Sequence, residues 1–285
     1  MFINREDYVD MVRPFYETDL IKVITGIRRS GKSIILQAIR DEFLHNGING
    51  DQIIYINLED FEYEFIKTAA DLYEGIIKKD IAGKSSKFEK KTFMDISLYI
   101  LANAGKEFSS ENVINYYKTH HKKSITRQTV YNYLEKMQKA FLVHGVKKYN
   151  IVGKEALKAN EKYYAVDMGL RIINTNSINF EDTFFLENVI YNELILRGYT
   201  VYTGKTYKGE IDFVAIKDGK KCFIQVCYLL ASAETIAREF GAFKPISDAS
   251  PKYVMSLDKI DMSRDGIGHI NIVDFLLRKV DIALT

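Results

Sequence analysis

The order of apolar and polar positions divides the chain into three segments, and the first spans residues 1–80. Two short apolar runs, "LIKVITG" at 20–26 and "QIIYINLED" at 52–60, predict buried strands. Between them, residues 32–47 predict a helix that ends at Gly47. Its apolar stripe falls at positions 34, 35, 38, 39 and 43. A further helical pattern at 71–81 precedes a charged break at 82–91, where we place a boundary.

The second segment, residues 88–175, predicts three helices followed by two strands. The helices cover 92–104, 109–120 and 125–141, and the second begins with a serine cap. In the third helix, four apolar residues share one face: Val130, Leu134, Met137 and Phe141. Strands at 142–150 and 161–167 surround a loop that carries lysine. Three helices and a hairpin in this order are typical of a winged helix-turn-helix.

The third segment, residues 180–285, returns to mixed helices and strands. A helix is predicted at 184–198, and strands follow at 200–205, 209–219 and 220–230, the last two joined by a Lys-Asp-Gly turn. A helix at 234–243 and the runs at 252–258 and 270–277 complete the segment. The fold class is therefore α/β, with a helical segment between two α/β segments.

Composition narrows the class of protein only slightly. The 285 residues are 47% apolar and 27% charged, with a net charge of +2, as expected for a globular protein. Cys222 and Cys227 lie five positions apart in one strand, so they should point to opposite faces and not bond each other. The chain opens with charged residues and has no apolar run of membrane-spanning length, so we expect a cytoplasmic protein.

The stretch "GIRRSGKS" at 26–33 has the spacing of a phosphate-binding loop. Glycines let backbone N–H groups surround phosphate oxygens, Lys32 would reach the β and γ phosphates, and the Ser33 hydroxyl would ligate Mg²⁺. The helix that follows directs its positive dipole end at the anion. The predicted nucleotide-binding residues are Gly26, Arg28, Arg29, Ser30, Gly31, Lys32 and Ser33.

This loop, preceded by "KVIT" and followed by "YINLED", resembles the AAA-class ATPases of bacteria and archaea that carry a C-terminal domain of uncharacterised function. The resemblance extends through "IIKKDI" and "GEIDFVAIKDGKKCFIQVCY" and covers nearly the whole chain. Arg28 and Arg29 are typical of that group. The resemblance implies binding of ATP with Mg²⁺, and a winged helix between the ATPase part and the C-terminal part.

The chain departs from that family where the second half of the hydrolytic site should lie. The family's Walker B strand, sensor strand and helical lid come after the segment that matches "YINLED", but here that segment runs almost directly into "IIKKDI", with the join near 73–76. Glu59 and Asp60 are weak substitutes, because the resemblance places their strand away from the loop strand. Hydrolysis needs an oriented water and a held metal, so we expect weak nucleotide binding and little turnover.

A truncated domain of ~80 residues buries less surface, so we also expect packing on other domains or on another chain, as in an oligomer.

The second segment concentrates positive charge. Between residues 115 and 165 stand eleven lysine or arginine residues and three glutamates. The third helix would present polar residues near its N-terminal end to base edges, while lysines hold phosphates. The candidate DNA-binding residues are Lys122, Lys123, Arg127, Gln128, Tyr131, Asn132, Lys147 and Lys148. The alternative is a solvated basic face on a segment that only connects two domains.

The third segment resembles the core of restriction-endonuclease-like nucleases at "GEIDFVAIKDGKKCFIQVCY". That resemblance assigns Asp212 to the metal-binding aspartate, Gln225 to the next ligand, and Glu187 or Glu193 to the helix acid. The position of the nuclease lysine holds Cys227, a poor substitute in metal-assisted hydrolysis. An ordinary α/β layer with Asp212 as a strand-end carboxylate is the alternative.

Three hypotheses follow. The first is an AAA-class ATPase-family protein that binds nucleotide and DNA with impaired or absent hydrolysis. The second is a DNA-binding or assembly module in which the phosphate loop is a relic. The third is a divergent metal-dependent nuclease that uses Asp212.

Overall fold

A computed structural model describes residues 6–16, 32–53, 55, 71, 89–169, 172 and 183–284. The chain forms two compact units, Met1–Lys67 and Thr68–Thr285. The strand predicted at 20–26, most of the strand at 52–60, the helix at 71–81 and most of the break at 82–91 lie outside the described residues. No helix within the described part of the chain is both long and apolar enough to cross a membrane.

The described part of the first unit consists mainly of two helices. Helix α1 covers Glu6–Asp10 and helix α2 covers Lys32–His45. Arg13 follows α1 and donates to Glu42 of α2 over 2.8 Å, and the ring of Tyr16 packs on Phe43 with centroids 4.6 Å apart. Gly47 adopts φ +86°, as expected of a glycine that ends a helix.

The apolar stripe of α2 is only partly as predicted. Ile35 is buried, whereas Ile34 is 48% exposed, although both positions belong to the predicted stripe. Adjacent helical residues lie about 100° apart around the axis, so a burial pattern that includes one can leave the other in solvent.

The second unit begins with three helices that match the sequence prediction closely. Helix α3 covers Lys90–Ala102, α4 covers Ser110–His121 and α5 covers Arg127–Lys139. Ser109 caps α4 by accepting a hydrogen bond from the N–H of Asn112 at 3.3 Å, which confirms the predicted serine cap. Thr126 caps α5 in the same way. The helices enclose one core, built on Phe93, Ile96, Leu101, Val113, Val130, Leu134 and Met137.

Phe141 corrects the predicted apolar face of α5. Val130, Leu134 and Met137 are buried as expected, but Phe141 is 67% exposed. The helix ends at Lys139, and Phe141 has φ +52°, outside the helical region. The chain reverses there, so Leu142 rather than Phe141 enters the core.

Within the described residues, seven strands form one mixed sheet in the order β2-β1-β3-β4-β5-β6-β7. Strands β1 and β2, Val143–Asn150 and Glu155–Ala165, make the antiparallel hairpin predicted after α5, but β2 begins six residues before the predicted strand at 161–167 and so includes most of the predicted loop. The remaining strands are β3 Thr200–Lys205, β4 Glu210–Lys217, β5 Lys220–Val226, β6 Lys252–Ser256 and β7 Gly268–Asn271. Strand β1 pairs in parallel with β3, so the hairpin and the C-terminal strands belong to one sheet.

Gly204 of β3 permits a close approach in this region. A Cβ atom at Gly204 would stand 2.9 Å from Cδ1 of Ile151, which follows β1, and 3.1 Å from Cβ of Ile211 in β4. A larger residue would therefore require the Ile151 side chain to move and would crowd Ile211, so glycine suits this position.

Helices cover both faces of the sheet. Helices α6, Thr183–Leu196, and α8, Ile272–Leu276, share a core with Cys222, Ile224 and Val226 of β5. Helix α7, Ala233–Gly241, belongs to a second core with Phe223 and Cys227. The two cysteines are free and lie in different cores, which confirms that they do not bond each other.

We predict that Leu134→Ala destabilises the second unit by about 2–5 kcal/mol, because it removes a fully buried side chain from a packed core. Glu135→Ala, one residue further along α5 on its exposed face, is the matched control and should change stability little. Urea unfolding followed by circular dichroism measures both. Equal effects of the two substitutions would contradict the described core.

Candidate functional site

The predicted phosphate loop borders the described residues. Gly26, Arg28, Arg29, Ser30 and Gly31 lie outside them, as do Glu59 and Asp60. Lys32 is the first residue of α2, and Ser33 is exposed in the first turn. The predicted helix therefore begins at the end of the loop, and the first turn of an α-helix favours an anion.

The N-terminal half of α5 presents a polar surface to solvent. Arg127, Gln128 and Asn132 are exposed, and Tyr131 is 47% exposed. Gln128 donates to the side-chain oxygen of Asn132 at 2.8 Å, so the two amides are held side by side. Arg127 pairs with Glu111 at 3.3 Å, and both side chains are more than half exposed. Such a surface pair contributes little and is easily exchanged for a phosphate.

The candidate lysines separate into two groups. Lys122 ends α4 in the left-handed conformation, and Lys122, Lys123 and Lys147 are exposed. Lys148, by contrast, is only 6% exposed and pairs with Glu210 at 2.9 Å. Its ammonium also lies 3.7 Å from Glu107, so it is paired with acids of the same protein. The structure therefore argues against the predicted contact between Lys148 and DNA.

Lys148 belongs instead to a set of charged residues that we call the acid–lysine cluster. The cluster lies where the hairpin meets the C-terminal strands and α6. Four of its five members are less than 9% exposed, and Glu210 is the member nearest solvent. The members are Lys148, Lys162, Glu187, Glu210 and Asp212.

Lys162 of β2 stands at the centre of the cluster. Its ammonium lies 3.5 Å from Glu187 and 3.9 Å from Glu210. Burial lowers the pKa of Lys162, but the charges of Glu187, Asp212 and Glu210 outweigh burial, and the pKa lies above its ordinary value. Lys162 therefore remains charged although it is buried.

The structure distinguishes between the two candidate helix acids. Glu187 is buried and accepts hydrogen bonds from the Tyr164 hydroxyl at 3.3 Å and from Lys162. Glu193 instead pairs with Arg197 at 2.7 Å, four residues along the same helix. Burial and the neighbouring Asp212 raise the pKa of Glu187 despite the attraction of Lys162. Of the two acids, only Glu187 joins the cluster.

Asp212 and Gln225 face each other across β4 and β5. One carboxylate oxygen of Asp212 accepts the N–H of Val226 at 2.7 Å, and the side-chain oxygen of Gln225 accepts the N–H of Asp212 at 3.4 Å. Burial raises the pKa of Asp212, while Lys162 and the Val226 N–H oppose that rise. Burial also raises the pKa of the Cys227 thiol to about 12, so the residue at the nuclease-lysine position is uncharged at neutral pH.

Sequence reasoning did not find Lys162 and Glu210 as members of this site. Lys162 contributed only to the basic charge of the second segment. Glu210 stands two positions before Asp212 on one strand, a spacing that places both on one face. That spacing was the available signal for Glu210, whereas Lys162 reaches the acids only through the pairing of strands distant in sequence.

We predict that Glu187 makes stability depend on pH. A raised pKa means that the folded protein holds this proton more tightly than the unfolded chain does. Stability should therefore fall as pH rises above the ordinary carboxyl value of 4.5 and through the raised value. Glu187→Gln should flatten this decline over the same window, whereas Glu193→Gln should not. Thermal unfolding from about pH 5 to about pH 9 measures the slopes. A slope unchanged in Glu187→Gln contradicts the assignment.

Comparison with protein families gives two matches. The model of the AAA domain matches residues 18–95, and the model of a Domain of unknown function (DUF8612) matches residues 58–178. The first match begins before the predicted phosphate loop and ends in α3. No solved structure matches the chain.

Two curated relatives are similar to the chain over much of its length. An uncharacterized protein of Haemophilus influenzae is 24% identical over 401 aligned positions, which cover 97% of this chain and 99% of the relative. An uncharacterized protein of Methanocaldococcus jannaschii is 28% identical over 225 positions, covering 74% of this chain and 45% of the relative. Because this chain has 285 residues, at least 116 of the 401 positions have no counterpart in it. The AAA domain match supports an AAA-type P-loop family for residues 18–95.

Proposed function

We propose that this protein is an AAA-type P-loop protein that binds nucleotide at residues 26–33, binds DNA through the N-terminal half of α5, and turns ATP over slowly or not at all. The observation that carries the DNA-binding part is the exposed polar and basic surface of α5. The AAA domain match carries the nucleotide-binding part.

The α5 surface has the features of a recognition helix. Its N-terminal residues Gln128, Tyr131 and Asn132 are exposed, while Val130, Leu134 and Met137 fix the opposite face in the core. Five residues, 122–126, separate α4 from α5, and three of them lie between the capping residues Lys122 and Thr126, a length typical of helix-turn-helix units. Side-chain amides such as those of Gln128 and Asn132 read adenine edges in the major groove.

Three exposed lysines lie in the turn before this helix and on the hairpin after it, and in this proposal they contact phosphates. Lys122 and Lys123 lie in the turn before α5, and Lys147 lies on the hairpin that follows it. Lysine contacts to phosphate position a protein on DNA and make its affinity dependent on salt. Lys148 has no part in this proposal, because it is buried against Glu210.

The nucleotide site combines the loop sequence with α2. An AAA domain implies nucleotide binding with Mg²⁺. In this chain Lys32 would contact the β and γ phosphates, and the Ser33 hydroxyl would be the Mg²⁺ ligand. ATP would supply the anion that the first turn of α2 favours.

Slow turnover follows from the segment that the chain lacks. The Haemophilus influenzae relative has at least 116 aligned positions beyond the 285 residues of this chain. That surplus supports the proposal that a segment of the family, including the Walker B strand, is absent from this chain. Without that region the chain has only Glu59 and Asp60 as candidates for orienting water, and a loop alone binds phosphate without hydrolysing it. A second copy or a partner chain would complete such a truncated domain, so we include an oligomer in the proposal.

We predict saturable binding of Mg²⁺-ATP that Lys32→Ala abolishes, measured by calorimetric titration. Lys139→Ala, an exposed lysine at the end of α5, is the matched control and should bind as the unaltered protein does. Phosphate release should stay far below about 1 s⁻¹ in all three proteins. Equal binding by Lys32→Ala and the unaltered protein would favour the DNA-binding or assembly module with a relic loop. Rapid turnover would contradict the loss of the hydrolytic half.

We predict that Lys123→Ala weakens duplex DNA binding about threefold to tenfold and reduces the salt dependence by about one phosphate contact. Lys123 suits this test better than Arg127, which is already paired with Glu111. Fluorescence anisotropy from about 0.05 to about 0.2 M salt measures both quantities. Lys139→Ala, at the far end of the same helix, should have a smaller effect. Affinity that does not change with salt would reject DNA binding by this surface.

A further inference from the structure

The nuclease resemblance implies a divalent cation held by Asp212, Gln225 and Glu187. Carboxylate and carbonyl oxygens are suitable ligands for such an ion, provided that they converge on one point with free lone pairs. Within the described ranges, no three His, Cys, Asp or Glu side chains are grouped so that they could hold a metal ion. The hydrogen bonds of the cluster explain this result.

The two strand-borne ligand candidates are tied to the backbone. The Val226 N–H donates to Asp212 at 2.7 Å, and the Asp212 N–H donates to Gln225 at 3.4 Å. These bonds cross between β4 and β5 and hold the two side chains along the sheet. An ion that displaced the Val226 N–H from this oxygen of Asp212 would leave a buried donor without its acceptor, which is costly, so an ion would have to use the other oxygen of Asp212 together with Glu187.

Glu239 of α7, whose charge acts on Asp212, also has a hydrogen-bonding partner. Glu239 is buried and accepts from Arg238 at 2.7 Å and 2.9 Å. Arg238 itself is largely exposed, so it brings a solvent-facing positive charge to Glu239. This pairing opposes recruitment of Glu239 as a replacement ligand for an ion beside Asp212.

Glu187 already has a cation within reach. The Lys162 ammonium lies 3.5 Å from its carboxylate, and the Tyr164 hydroxyl donates to the same oxygen. Glu210 lies 3.9 Å from Lys162 and 2.9 Å from Lys148. Two lysines therefore stand among three acids, of which Glu187 and Asp212 are buried and Glu210 is exposed. A divalent ion added beside Lys162 would be repelled strongly at such distances.

We infer that the Lys162 ammonium takes the place of the divalent cation, so that the nuclease-like acids form an ion network rather than a metal centre. A lysine on β2 neutralises the buried acids, and Cys227 occupies the position where a nuclease carries its catalytic lysine. The sheet thus keeps the acids of a nuclease without binding the ion that cleavage needs. This inference concerns a different site from the proposed nucleotide and DNA contacts and does not depend on them.

The network also explains how the helical part is held on the sheet. Lys148 lies 3.7 Å from Glu107, which precedes α4, and 2.9 Å from Glu210 of β4. Glu107 also forms an isolated backbone bridge with Lys162. The same two lysines therefore connect the turn between α3 and α4 to the acids of the C-terminal strands. A metal at the acids would not make this connection, because the connection requires side chains that belong to the hairpin.

The test is Mn²⁺ titration of the full chain without nucleotide, followed by electron paramagnetic resonance of the free ion. The Asp212→Asn variant should bind Mn²⁺ as the unaltered protein does, because Asp212 holds no metal. Lys162→Met removes the internal cation at similar length and should create one new Mn²⁺ site, at least about tenfold tighter than background. Lys147→Met, the neighbouring exposed lysine of the hairpin, is the matched control and should create none.

The double variant Lys162→Met with Glu187→Gln should lose the new site, which would place it at the cluster. Two results would overturn the inference. One is a Mn²⁺ site in the unaltered protein that Asp212→Asn removes. The other is a folded Lys162→Met protein, verified by circular dichroism, that gains no site. If Lys162→Met fails to fold, the Asp212→Asn comparison still tests the inference by itself.

Discussion

The parallel pairing of β1 with β3 is the constraint on which the rest of the second unit depends. It joins β1, which ends at Asn150, to β3, which begins 50 residues later at Thr200. Without it, Lys148 and Lys162 would lie on a solvated hairpin, as their sequence suggests. With it, both ammonium groups enter the region between β4 and α6 and meet Glu187 and Glu210. Non-local pairing of this kind requires closing a long loop before any contact forms, so the ion pairs and the surrounding core must offset that entropy.

The same pairing separates the lysines of the second segment into an exposed group and a buried group. Lys122 and Lys123, just before α5, and Lys147 of β1 remain exposed. Lys148 and Lys162 are buried and neutralised by acids. A count of charges cannot separate these groups, because a buried, paired lysine and a solvated lysine contribute equally to net charge. The charge count of the second segment therefore overestimates the basic surface that is exposed to solvent.

The acid–lysine cluster joins buried acids to lysines that come from another part of the chain. Asp212 accepts from the Val226 N–H, and Glu187 accepts from Tyr164 and Lys162. Buried charges are tolerated when they are paired and hydrogen-bonded, and this cluster meets both conditions. Removal of one partner would leave an uncompensated charge in the interior. The cluster therefore serves as a connection between the helices, the hairpin and the sheet.

The sequence alone determined most helices and strands of the second unit, because short-range interactions specify them. Helix periodicity, the Ser109 cap, the Lys-Asp-Gly turn and the alternation that separates Cys222 from Cys227 all act over a few residues, and the structure agrees with each. The loop at 26–33 was likewise recognisable from spacing, and the AAA domain match includes it. Tertiary structure alone decided that Glu187 rather than Glu193 joins the cluster, that Phe141 faces solvent, and that Lys148 and Lys162 are buried. Each of these outcomes depends on contacts between segments distant in the chain, and periodicity carries no information about which distant strand will pair.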